Sequence, residues 1–287
     1  MYAAFRGELF KSVRRPAVWV LVILLLVLAV VLGYLVTYLF DTFGSATSRQ
    51  GLPPGATLAD LKVALYPENF IKETFGIWAS LGGVFALIMG VLVQGSEYGW
   101  GTMKTLYTQR SGRLTMLFGK VAALAAVVLL MVVALFAVDA ASSSVIALVD
   151  GHSIVFPSAD VVLKAIVAGF LIFGFWAMFG FGLATVFRQS AMAIGLGLAY
   201  ALVVEQLIFS LLAGFGGKLL QQIEQWFPIA NTGYLAQSFG EIKYRGVTAV
   251  APPPFADATH AVLMLLLFVA AFAAMSGWLS RTRDVTA

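Results

Sequence analysis

Long apolar stretches alternate with short polar ones along almost the whole chain, and the length of the apolar stretches sets the element type. A hydrocarbon core of ~30 Å takes about 20 apolar residues of helix to cross. Six segments meet that need, at about Ala17–Phe40, Thr74–Val93, Phe118–Val138, Val162–Phe187, Ala191–Gly214 and His260–Ser280. The third is the hardest to delimit. Its apolar character continues to Val149, and Asp139 with Ser142, Ser143 and Ser144 interrupts it, so it reads as one span with a polar outer end. The pattern predicts an all-α integral membrane protein, a single transmembrane domain of six helices.

Between the spans the pattern changes. In residues 1–16, Tyr2, Phe5, Leu9 and Val13 recur at helical spacing among Arg6, Glu8, Lys11, Ser12, Arg14 and Arg15. This reads as a basic amphipathic connector helix in the membrane interface, or as a basic flank that sets topology. Pro16 fits a bend into the first span. Residues 41–73 read as an outer loop with a turn at Gly51–Gly55. Residues 94–119 form the longest internal cytoplasmic connection, punctuated by Gly95, Gly99, Gly101, Gly112 and Gly119, with a helix-capable stretch at Thr102–Gln109. Residues 215–259 form an external segment. Within it, Leu219, Leu220, Ile223, Trp226 and Phe227 share one face of a short amphipathic helix ended by Pro228. Pro252–Pro254 stiffen the approach to the last span.

Composition agrees with a lipid solvent. Of 287 residues, 61% are hydrophobic and 11% charged, against a usual charged share of ~25%. That balance excludes both a soluble globular domain and a disordered chain. There is no cysteine, so disulfides and thiolate metal sites are excluded. A net charge of +4 is too small and dispersed for a nucleic-acid footprint.

The distribution of charge sets orientation. The N-terminus, the second and fourth connections and the C-terminus together carry eleven basic residues against three acidic ones. The other side carries seven basic and ten acidic residues. Both termini are therefore expected in the cytoplasm, in the plasma or inner membrane of the cell. The first apolar stretch exceeds the ~7–15 residues of a signal peptide, so no cleavage is expected.

Candidate chemistry is sparse. No His-Glu-x-x-His, Gly-x-Ser-x-Gly, phosphate loop or intramembrane carboxylate pair is present, and His152 and His260 read as solvated or interfacial. Glu205 is the one acid well inside a span, roughly 20 Å from its cytoplasmic end. A charge there costs on the order of 3 kcal/mol, so Glu205 either lines a pathway or is held by a structural hydrogen bond. Asp139 reads as the wet end of a helix or as a substrate contact. Small residues recur four apart at Gly82, Ala86 and Gly90, at Gly180 and Ala184, and at Ala191, Gly195 and Ala199. Such rows permit close helix approach, within the chain or between subunits.

The second connection carries a more specific pattern: Gly95, Glu97, Tyr98, Gly101-Thr102, Lys104 and Leu106, then Ser111-Gly-Arg113 and Lys120. It resembles the permeases of type-two-family ATP-binding-cassette (ABC) exporters, although Gly112 is inserted between Ser111 and Arg113. Glu8, Lys11, Arg14-Arg15-Pro16 and Trp19 fit the same family's N-terminal signature. The resemblance implies a permease half that pairs with a second permease copy and docks on two separate soluble ATPase subunits. It implies no enzymatic activity or cofactor on this chain, with ATP and Mg bound by the ATPase. Glu97, Tyr98, Gly101, Thr102, Lys104, Leu106 and Arg113 would form the coupling contact. The external amphipathic helix would sit at the exit. A secondary transporter or channel is the alternative; Glu205 alone gives it little intramembrane charge to work with.

Overall fold

A computed structural model describes residues 2–43, 58–99, 112–205, 207–208, 211, 222–240 and 256–283. Among them every regular element is helical. Five helices are long and apolar enough to cross a membrane, and the apolar helix Ser190–Val204 is shorter. The outer part of the expected fifth span falls largely outside the described residues, as do the turn at 51–55, the helix-capable stretch 102–109 and Pro252–Pro254.

α1 (Tyr2–Arg14) ends where Arg15 turns extended, and Pro16 occupies the first turn of α2 (Pro16–Leu28), where a missing N–H costs nothing. α2 continues through a π-helical segment (Ala29–Leu35) into α3 (Val36–Phe43). Val20, Ile23, Leu24 and Val27 are exposed along α2, as side chains facing lipid are.

Residues 58–69, expected as loop, hold α4 (Leu58–Leu65) and a 3-10 turn (Pro67–Asn69) that leads into α5 (Phe70–Trp78). Their apolar anchor is a small cluster of Tyr34, Leu65 and Ile146, with Tyr38 and Tyr66 packed on it. Apolar contact supplied by other helices thus decides the helix, which local polarity did not announce.

α6 (Leu81–Gly99) runs well past the expected end of the second span at Val93. α7 (Arg113–Asp150) is a single 38-residue helix. Asp139 and the serines do not break it, contrary to expectation. Ser143 and Ser144 donate to the Ala140 carbonyl at 2.9 and 2.7 Å, and Thr74 meets one carboxyl oxygen of Asp139, so the serines and that oxygen find partners without unwinding the turn. The helix stops at Gly151, whose φ of 67° allows the His152 N–H to reach back to the Ala147 carbonyl at 2.8 Å.

α8 (Ala159–Phe187) and α9 (Ser190–Ala199) are joined by a tight turn with Arg188 left-handed at φ 54°. α9 continues as a π segment (Tyr200–Val204). Pro228 opens α10 (Pro228–Gln237), which buries Asn231, Thr232, Tyr234 and Leu235. Of the amphipathic helix expected before Pro228, residues 218–221 lie outside the described residues; residues 222–224 are helical and 225–227 form the turn into α10. α11 (Ala258–Thr282) begins at Asp257, whose side chain accepts from the His260 N–H.

The centre of the bundle is the α6–α8 pair. A β-carbon at Gly90 would run into the Ala177 carbonyl, and one at Gly180 into the Leu87 carbonyl. These glycines therefore bring the two backbones into contact, each clearing space for the other helix. Gly82 and Gly83 likewise make room for the Phe173 and Trp176 rings. The small-residue rows of α6 and α8 are thus spent within the chain.

Candidate functional site

Charged side chains gather where α1 crosses the ends of α6 and α7. This end of the bundle, called the base below, is the one the charge bias assigns to the cytoplasm. α1 meets α7 closely at Gly119, where an added β-carbon would lie 2.8 Å from that of Ala4. α1 turns its polar face inward: Glu8 and Ser12 are buried, while Tyr2, Phe10 and Val13 remain exposed. The expected apolar row is split, with Phe5 and Leu9 half-buried.

Glu97, 1% exposed near the end of α6, joins the three helices. One carboxylate oxygen accepts from Lys11 Nζ at 2.9 Å, and the other pairs with Lys120 of α7. Lys11 also donates to Glu8 at 2.7 Å, and Lys120 to Gln94 Oε1 at 3.3 Å. Burial works against the Lys11 charge, but the hydrogen bonds and charges of Glu8 and Glu97 outweigh it and hold Lys11 above its ordinary range. Arg15 extends the clasp, donating to the Leu92 carbonyl at 3.1 Å and to Ser96 Oγ at 2.8 Å. These partners explain why α6 stays helical into residues read as a loop.

Two further arginines stitch the base by donating to carbonyls in last helical turns, which have no intrahelical partner. Arg113 reaches the Arg281 carbonyl at 3.4 Å and Arg283 the Val186 carbonyl at 2.9 Å. Of the expected coupling residues, Glu97 is buried, Tyr98 is half-buried at the end of α6 and Arg113 opens α7. Gly101, Thr102, Lys104 and Leu106 lie outside the described residues. Sequence reasoning noted Glu8, Lys11, Glu97 and Lys120 separately but did not join them. Their common position at helix ends was the available signal, since charges at one membrane depth seek each other.

Glu205 is a cap. It is 2% exposed and receives the N–H of Ala230 at 2.9 Å, the N–H of Ile229 at 3.2 Å and the Tyr200 hydroxyl at 2.8 Å. The N-cap residue of α10, Phe227, has no side-chain oxygen, so a carboxylate from another element satisfies that helix N-terminus. Glu205→Ala should destabilise the protein by on the order of 3 kcal/mol by leaving these donors buried and unmet. Glu205→Gln, which keeps one acceptor oxygen, should cost about half as much. Thermal unfolding in detergent reads both, and wild-type stability of the alanine variant would remove the capping role.

At the far end, Asp150 gathers Tyr38 at 3.5 Å, Lys62 at 3.4 Å and Tyr66 at 3.3 Å. His152 is not simply solvated. It stacks on Tyr66 with ring centroids 3.9 Å apart and lies 3.2 Å from Glu68. Asp139 is fully buried against Thr74. Among the described residues no group of three or more acidic or histidine side chains could hold a metal ion.

Apolar helices whose charges are confined to their ends and to a few enclosed clusters make this a polytopic α-helical membrane protein, with its densest ionic contacts, among the described residues, at the base. The model of one family, described as ABC-2 family transporter protein, matches residues 2–285. The chain belongs to that family and is an ABC transporter permease. Membership implies partnership with an ABC ATPase. A comparison with curated proteins found no match.

Proposed function

We propose that this chain is the permease half of an ATP-driven exporter, moving a drug, lipid, antibiotic peptide or ion from the cytoplasm or inner leaflet outward. It performs no hydrolysis itself. Two copies of a separate soluble ATPase bind ATP and Mg, and a second permease copy or related chain completes the pathway in the cell membrane, with both termini cytoplasmic. The observation that carries this reading is the clasp. Glu97 ties α1, α6 and α7 together at the two ends of residues 100–111. A partner pressing on that segment moves three helices as one body rather than bending a loop, which is what transmission from an ATPase to a bundle requires.

In this reading Glu97 positions the contact, and Leu106 with Tyr98 supplies apolar anchorage for it. Leu106→Asp should abolish co-purification of the ATPase, because the ATPase surface that receives this side chain would have to bury an unpaired charge. Pull-down of the ATPase with substrate-stimulated hydrolysis tests this. Normal assembly and coupling of Leu106→Asp, or transport that continues without the ATPase, would replace the exporter with a secondary transporter or channel.

A further inference from the structure

Several buried polar groups around Asp139 have no hydrogen-bond partner among the described residues. Asp139 of α7 is 0% exposed, and its Oδ1 has no hydrogen-bond partner among the described residues. The same holds for Trp78 Nε1 of α5 and for the hydroxyl of Tyr34, which the π segment carries inward. The half-buried Glu73 of α5 lies close enough to interact electrostatically with both Asp139 and Tyr34. Glu73 Oε1 and Trp78 Nε1 each lie 3.9 Å from the place a β-carbon would take at Gly33, so they converge on one point.

The Thr74 hydroxyl adds an independent constraint. It lies 2.8 Å from the Phe70 carbonyl oxygen and 2.6 Å from Asp139 Oδ2, with one hydrogen for two oxygens. A threonine inside a helix gives its hydrogen to the carbonyl four residues back. The contact with Asp139 is then completed by a hydrogen on the carboxyl group. Charge points the same way, because a like charge on Glu73 within electrostatic range disfavours ionisation of the buried Asp139. No described cation is free to compensate them. Lys62 is engaged by Asp150, Lys72 by Asn69, Lys164 by Asp160, and Glu68 faces His152. The charges on α1, α6 and the end of α11 belong to the base, about 28 Å away along α7 from Lys120 to Asp139.

We propose that Asp139 and Glu73 form a proton-binding site in which the pair of carboxyl groups carries one proton, held on Asp139. The Trp78 N–H and Tyr34 O–H border the site as buried donors with no hydrogen-bond partner of their own among the described residues. Three elements build the site, so it is complete only while α5, α7 and the π segment stay packed. Their separation admits water, the proton passes to it, and both acids ionise. Lower pH therefore favours the packed arrangement.

Infrared difference spectroscopy of the full-length protein in lipid, titrated with pH, tests this through the carbonyl stretch of a buried carboxylic acid. The wild type should show that band at neutral pH, shifted in heavy water. Asp139→Asn should abolish it. Glu73→Gln removes the like charge and should leave the band but move its titration midpoint down by roughly one pH unit or more. The Glu73→Gln result decides the matter even if Asp139→Asn fails to fold. Absence of the band in the wild type, or an unchanged midpoint in Glu73→Gln, overturns the proposal. So does loss of the band on adding sodium or potassium chloride at constant pH, because a metal ion would then be the occupant.

Discussion

Glu97→Ala should destabilise the protein by about 3–5 kcal/mol, the range for removing one partner of a buried ion pair. The cost arises mainly from what is left behind. Lys120 is 3% exposed and would lose its carboxylate partner while keeping its buried charge beside Gln94. Lys11 is different: its side chain is 38% exposed and it retains Glu8. The loss should therefore be repaired from the Lys120 side. Glu97→Ala with Lys120→Met should recover much of the stability, since apolar replacement of a whole buried pair is often near neutral. Lys11→Ala should be the milder single variant. Thermal unfolding of purified protein, run beside ATPase pull-down, separates the two roles assigned to this residue. The double variant should be stable yet poorly coupled, because Lys11 no longer fastens α1 to α6 and only Arg15, beyond the end of α1, still reaches it among the bonds of the clasp described above. Full coupling in that variant would reduce the clasp to a folding device.

Replacing Gly90 or Gly180 with valine should leave almost no well-folded protein. Ordinary overpacking costs about 1–3 kcal/mol, because flexible side chains can move aside. Here the obstacle is a backbone carbonyl of the facing helix, Ala177 for Gly90 and Leu87 for Gly180. Relief demands that α6 and α8 move apart, which opens the centre of the bundle. Gly174 is the control on the same α8, since a β-carbon there meets nothing within 4 Å. Gly174→Ala should be neutral or stabilising by up to about 1 kcal/mol, the helix-propensity difference. Yield of monodisperse protein in size-exclusion chromatography reads all three. Equal yields would mean that the helices do not touch through these glycines.

The helical class and the main apolar rods were legible because lipid imposes a length on them that few other environments do. α8 and α11 lie within a few residues of the expected spans. What could not be read locally was any element whose stability comes from a distant partner. α4 needs Tyr34 and Ile146. The last turn of α6 needs Lys11, Arg15 and Lys120. The outer third of α7 needs Thr74 for Asp139. At the candidate site the residues were visible and their grouping was not. Glu8 and Glu97 are 89 positions apart, and only the crossing of α1 at Gly119 makes them neighbours. Glu205 stood out as an intramembrane acid. Besides the Tyr200 hydroxyl, the donors that meet it are main-chain N–H groups of Ile229 and Ala230, which carry no sequence signature.

α7 has a mechanical consequence. From Lys120, fastened at the base, to Asp150, which gathers side chains at the far end, thirty residues of unbroken helix span about 45 Å. A rod of that length turns angle into displacement. Pivoting it by about 10° at Lys120 would carry Asp150 sideways by about 8 Å, taking Tyr38, Lys62 and Tyr66 along with it. A step of that size is wider than a water molecule and comparable to the spacing between packed helices. A movement of about 10° at the clasp therefore suffices, by leverage alone, to part the helices at the opposite surface.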